Sequence, residues 1–205
     1  MRIAVSWLAI LGVLCCPAVL HAQSIGFDLH GIYAFDFDGD AGDFGQADFS
    51  DGAGGGGTFF FAFIPAIRIE FGADWIETKN KDLDDSPLKI SPLTAAFRAG
   101  LPLEDLFLYA GGGLGYAICQ LDTTGDADRS LAARGVYDLN IDNDIIYFAM
   151  IGAEITLSEH IGLRAEYRYN WLRTKLKYDD YLGNDGEEDI NLDHQQVRAG
   201  MVVYF

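Results

Sequence analysis

The residues of this chain that could do chemistry are closely spaced carboxylates, a few histidines, one late cysteine and two glycine runs. In "DFDGDAGD" at 36–43, Asp36, Asp38 and Asp40 alternate like the first ligands of a calcium loop. The sixth position is Ala41, where the turn needs Gly, and the twelfth is Ala47, where the loop needs a bidentate Glu, so the match fails. A weak divalent-cation site among Asp38, Asp40 and Asp43 stands as the alternative to a solvated acidic loop, and no metal site is assigned. The runs "GAGGGG" at 52–57 and "AGGGLG" at 110–115 do not open a helix carrying Lys and Ser or Thr, as a phosphate-binding loop would. Glycines of this kind suit close backbone approach in curved strands. Nucleophilic catalysis needs Ser or Cys beside a base. His160 falls in a short turn, and His30 and His194 lie toward opposite ends of the first and last apolar segments with no Ser on the strand beside them. No catalytic residue and no cofactor is assigned.

The remaining charged side chains are set by alternation. In "IGLRAEYRYNWL" at 161–172, Ile161, Leu163, Ala165, Tyr167, Tyr169 and Trp171 share one parity, and Arg164, Glu166 and Arg168 share the other. This is the period of a strand. Either the charged parity faces water, as in a soluble sandwich, or the apolar parity faces lipid and the charges point into a closed interior. On the same parity argument Arg68, Glu70, Asp74, Arg98, Glu154 and Arg198 join Arg164, Glu166 and Arg168 inside, giving five bases and four acids. A nearly balanced set is what a packed polar plug requires, because an unpaired buried ion costs several kcal/mol.

Eight segments have strand composition: 26–37, 56–64, 67–77, 90–100, 106–120, 144–156, 161–173 and 192–205. Segments 67–77 and 90–100 alternate cleanly, whereas 56–64, 106–120 and 144–156 are apolar on both parities and leave their facing open. Three connections are short, at 64–66, 101–105 and 157–160. Four are long and rich in Asp, Gly and Asn, at 38–55, 78–89, 121–143 and 174–191. Long unstructured connections are uncommon in compact soluble domains. Their alternation with tight turns predicts an all-β, eight-stranded antiparallel up-and-down transmembrane barrel with short periplasmic turns and long outside loops. An even strand number puts both chain ends on the periplasmic side.

The start of the chain, "MRIAVSWLAILGVLCCPAVLHAQS", has a positive residue, a short apolar run and a small residue at Ala22, the anatomy of a secretory signal peptide over residues 1–22. The residues before Cys15 and Cys16 are not the small ones that lipoprotein processing wants. Residues 23–205 then form one barrel domain in which Cys119 stands alone, so no intramolecular disulfide is available. The formal charge of −17 becomes one unit more negative without Arg2. That charge opposes nucleic-acid binding, which depends on cationic contacts to phosphates.

The last eight residues, "RAGMVVYF", carry Arg198, Gly200, apolar Val203 and a final aromatic, Phe205. This resembles the C-terminal signal read by the outer-membrane assembly machinery. Together with the signal peptide and alternating loops, it makes the chain similar to the small outer-membrane β-barrels of the OmpA, OmpX and opacity-protein kind. The resemblance implies a monomer in the bacterial outer membrane, in contact with lipid and lipopolysaccharide, with a plugged polar interior and surface loops that act in adhesion or envelope integrity. It also leaves two alternatives, a narrow OmpW-type channel for small apolar solutes and a lipid A-modifying barrel enzyme. Continuing the outward parity past Trp75 and Trp171 reaches Lys79 and Lys81 on one strand and Arg173, Lys175 and Lys177 on another. These five are the candidates for lipopolysaccharide phosphate contact.

Overall fold

Alternating β-branched and aromatic residues pair into long antiparallel ladders in the computed structural model, which describes residues 25–39, 48–81, 86–123, 125, 129, 132, 136–180 and 185–205. Among the described residues ten strands form: β1 (Ile25–Phe35), β2 (Gly52–Ile64), β3 (Ile67–Asn80), β4 (Ser86–Leu103), β5 (Leu106–Leu121), β6 (Val136–Ile141), β7 (Asp144–Ser158), β8 (Ile161–Asp180), β9 (Asp185–Asn191) and β10 (His194–Tyr204). The expected signal peptide at 1–22 and the acidic residues Asp40 and Asp43 lie outside the described residues.

The sheet closes on itself. Neighbours run β10–β1–β2–β3–β4–β5–β7–β8, and β8 pairs back to β10 from Val203↔Ile161 to His194↔Asn170. The barrel therefore has eight staves, and closure leaves no edge around its girth. The two extra strands prolong staves. β6 continues the line of β7 along β8, with pairing that passes from Ile141↔Leu176 to Ile146↔Leu172 across an irregularity at 142–143. β9 continues β10, from Asn191↔Arg173 to His194↔Asn170, with the register kept. β6, β8 and β9 thus stand beyond the barrel as a three-stranded extension.

This corrects the expected long connections. Residues 52–55, 78–80, 86–89, 136–141, 174–180 and 185–191 are strand rather than loop. Their polar composition hides an alternation that continues past the barrel: Thr174 and Leu176 are buried while Lys175 and Lys177 are exposed. At the other end the turns are tight, with β4 and β5 joined through Glu104 and Asp105 and Glu104 in the left-handed region at φ 45°.

Apolar side chains cover the outer wall and ions fill the inside, the reverse of a soluble core. Leu29, Phe71, Leu93, Phe97, Ile151 and Leu163 are exposed, whereas Glu70, Arg98, Glu154, Glu166 and Arg168 are buried. The three ambiguous segments resolve the same way. Phe59, Phe61 and Phe63 face out and Thr58 and Phe60 in; Leu108, Leu114 and Tyr116 face out and Phe107 and Tyr109 in; Tyr147 and Ile151 face out and Phe148 and Met150 in.

The interior is layered, which amends the expectation of a polar plug. Charged residues occupy the half nearer the short turns. Toward the long-connection end Leu88, Ile90, Ile146, Leu172 and Leu192 form an apolar cluster with Cys119 buried among them. The reason is length: the staves carry inward positions well past the last charged residue, and these are filled by apolar side chains together with uncharged polar ones such as Thr78, Asn170 and Thr174.

Candidate functional site

The lumen network is assembled from the inward parity of seven strands. At the short-turn end, Arg68 of β3 and Arg164 of β8 both hold Glu154 of β7, at 2.7 Å from Arg68 Nη1 to Oε1 and 2.9 Å from Arg164 Nη2 to Oε2. Tyr204 OH donates to the same carboxylate at 2.6 Å. The Arg68 guanidinium lies over the rings of Phe107 and Phe60 at 4.3 and 5.0 Å, so its faces meet aromatic rings while its edge meets the carboxylate.

In the middle, Arg98 of β4 reaches Glu70 at 2.6 Å and Glu166 at 2.7 Å, and Tyr109 OH donates to Glu166 at 3.0 Å. Glu166 also receives Arg168 Nη2 at 2.9 Å. One layer further, Arg198 of β10 donates to Asp74 at 2.6 Å and to Gln196 Oε1 at 2.8 Å. His30 sits between two carboxylates, its Nε2 3.0 Å from Asp74 Oδ1 and its Nδ1 bonded to Asp28.

All nine side chains expected inside are there. Eight are buried, and Arg68, with its side chain 11% exposed, sits nearer the surface. Parity also points Asp28 inward, opposite Phe27 and Leu29. Asp28 is fully buried and is the fifth acid, so five arginines face five carboxylates. The surplus of one base over the acids was the signal that an acid was missing. His30, considered in the sequence as a base for catalysis, is a further member, as are Tyr109, Tyr204 and Gln196, which alternation does not single out.

The remaining sequence candidates separate. Gly200 pairs with His30 and Arg164 across the two neighbouring ladders, where a Cβ would strike the Leu29 carbonyl and come 2.6 Å from His30 Cβ. Val203 pairs with Phe27, and the Phe205 ring is exposed beyond a backbone bond to Ile25 O at 3.1 Å. The five bases do not make one strip, because β3 and β8 lie on opposite sides of an eight-stave ring. Lys81 is paired with Asp48 at 2.9 Å, Lys175 with Glu187 at 2.7 Å and Lys177 with Asp142 at 2.7 Å. The hydrogen bond from Lys175 to Glu187 raises the lysine pKa above its ordinary value. Lys79 lines an open groove with Trp75, Asp51 and Glu77.

His194 stacks on Phe37 with centroids 4.7 Å apart and contacts Leu192 O and Gln196 Nε2. Asp38 accepts from Asn191 Nδ2 at 3.1 Å, and among the described residues no group of three metal-ligating side chains converges.

Residues 6–205 match the family described as the outer membrane protein beta-barrel domain. The chain belongs to this family. It is a barrel of the bacterial outer membrane, and its apolar outer wall is the lipid-facing surface. Solved structures show the same fold at low identity. OprG from Pseudomonas aeruginosa is 17% identical, with 89% of this chain and 96% of that one covered and a TM-score of 0.70. The outer membrane protein AlkL in lipid bilayers is 17% identical, covering 89% and 90% at a TM-score of 0.62. Neisserial surface protein A is 16% identical, covering 88% and 97% at a TM-score of 0.59. No curated protein matches the chain.

Proposed function

We propose that this barrel is sealed and acts from its surface, through the long connections and the β6–β8–β9 extension, in adhesion or envelope integrity. The observation that carries this reading is the filled lumen. An eight-stranded barrel has an interior that side chains can fill, and here five arginines and five carboxylates interlock across it below an apolar cluster. On this reading both chain ends lie on the periplasmic side, the protein is a monomer, it carries out no catalytic step, and Arg198, Gly200, Val203 and Phe205 present the last strand to the assembly machinery. Reconstitution in planar bilayers tests the seal: no sustained open state is expected, and a steady unitary conductance would overturn it.

Lipopolysaccharide contact is the proposed partner role of the two basic sets. Lys81, Lys175 and Lys177 would exchange exposed protein carboxylates for phosphates, an exchange of small cost because exposed ion pairs contribute little. Lys79 borders the groove beside Trp75 at the aromatic belt, where headgroups lie. Changing Lys79 and Lys81 together, or Arg173, Lys175 and Lys177 together, to Gln is expected to weaken lipopolysaccharide binding at low salt with folding intact. Binding equal to the parent would remove this role.

A second reading, a narrow path for small apolar solutes, is favoured by one feature. The apolar cluster fills the long-connection half of the lumen, and the β5–β7 ladder stops at Ala117↔Asp144 beside it. Uptake of an apolar probe into proteoliposomes without ion conductance would favour this reading over the sealed one.

A further inference from the structure

Within the charged layer lies a cavity of about 10 Å³, lined by Asp28, His30, Thr58, Arg98, Arg164 and Glu166 and closed by β10. Asp28 Oδ2, Arg98 Nη1 and Arg164 Nη1 are buried and have no hydrogen-bond partner on the protein. Arg164 Nη1 stands 3.7 Å from Asp28 Oδ2, an ion pair too long for a direct hydrogen bond. Side chains 4% and 1% exposed cannot reach bulk water from there. A polar gap of that length between buried groups is the place for a bridging water.

We propose that this cavity is a structural water site: one water donates to Asp28 Oδ2 and accepts from Arg164 Nη1, within reach of Arg98. The volume admits about one water centre. The chemistry selects water over an ion, because an acceptor and donors are left unpaired around the same space. A halide accepts only and would strand Asp28 Oδ2 while adding a charge to a balanced set. A metal cation would confront guanidinium groups. A molecule that both donates and accepts satisfies both kinds of atom without changing the charge.

The test is a crystal structure of the refolded full-length mature barrel at a resolution that shows ordered water, from crystals equilibrated with sodium bromide. One peak without anomalous signal is expected, about 2.5–3.2 Å from both Asp28 Oδ2 and Arg164 Nη1. An anomalous bromide peak there would replace the water with an anion site. A cavity without density, or Asp28 and Arg164 closed to direct contact, would equally overturn the proposal.

Discussion

Glu154 is the carboxylate on which two arginines and a tyrosine depend, so its loss exposes how the lumen charges are coupled. Glu154→Leu strands Arg68 and leaves Arg164 with only its longer ion pairs to Glu70 and Asp28, and removing one partner of a buried pair costs about 3–5 kcal/mol. Adding Arg164→Leu returns part of that loss. The sequence suggested Arg164 and Glu166 as coupled neighbours on one strand, but Arg164 bonds Glu154 while Glu166 bonds Arg98 and Arg168. Double-mutant cycles by urea unfolding in micelles are therefore expected to give a coupling above about 1 kcal/mol for Arg164 with Glu154, and a smaller one for Arg164 with Glu166. Equal couplings would mean that the charges act as a diffuse field instead of through these bonds.

At the scale of the element, the glycines of β2 and its neighbours differ by the face they occupy. A Cβ at Gly56 would strike Asp74 Oδ1 inside, whereas nothing lies within 4 Å of one at Gly31 on the outer wall. Gly56→Ala should cost about 1–3 kcal/mol by displacing Asp74 from Arg198 and His30. Gly31→Ala should be neutral or stabilise by up to about 1 kcal/mol, since glycine is the poorer strand residue. Melting the two variants in the same detergent checks the contrast, which vanishes if the inner wall yields.

The β8–β9 extension has its own pH dependence. Glu187 raises the Lys175 pKa, so the pair favours the hairpin fully below the ordinary lysine value of 10.5 and is lost as pH rises above the raised value. Backbone amides of β9 should exchange or be cut faster in that alkaline window, and Lys175→Gln should remove the step. A step that persists in the variant would belong to another group.

For the whole molecule, closure and assembly separate at Phe205. Its ring is 72% exposed and its backbone N–H donates to Ile25 O, so folding in micelles is expected not to depend on the ring. Phe205→Ser is expected to leave the unfolding midpoint in detergent within about 0.5 kcal/mol of the parent while lowering the outer-membrane yield in cells without overexpression. An equal loss in both assays would make the residue structural rather than a recognition element.

The eight staves, their antiparallel order, the tight turns and the inward facing of Arg68, Glu70, Asp74, Arg98, Glu154, Arg164, Glu166, Arg168 and Arg198 were legible in the chain because a strand repeats every two residues and needs no distant information to face one way. Parity, however, says which side a residue takes and not which residue it meets. The sharing of Glu154 by arginines from β3 and β8, the place of Asp28 and His30 beside Arg198, and the separation of Lys79 from Lys175 by half the ring follow from closure and stagger, which bring residues far apart in sequence to one level. The apolar cluster and the long β8 extension were hidden for a related reason. Lys175, Lys177 and Glu187 read as loop residues until β9 lies beside β8, when the same charges become the outer face of a ladder whose inner face, Thr174, Leu176 and Ile190, is buried.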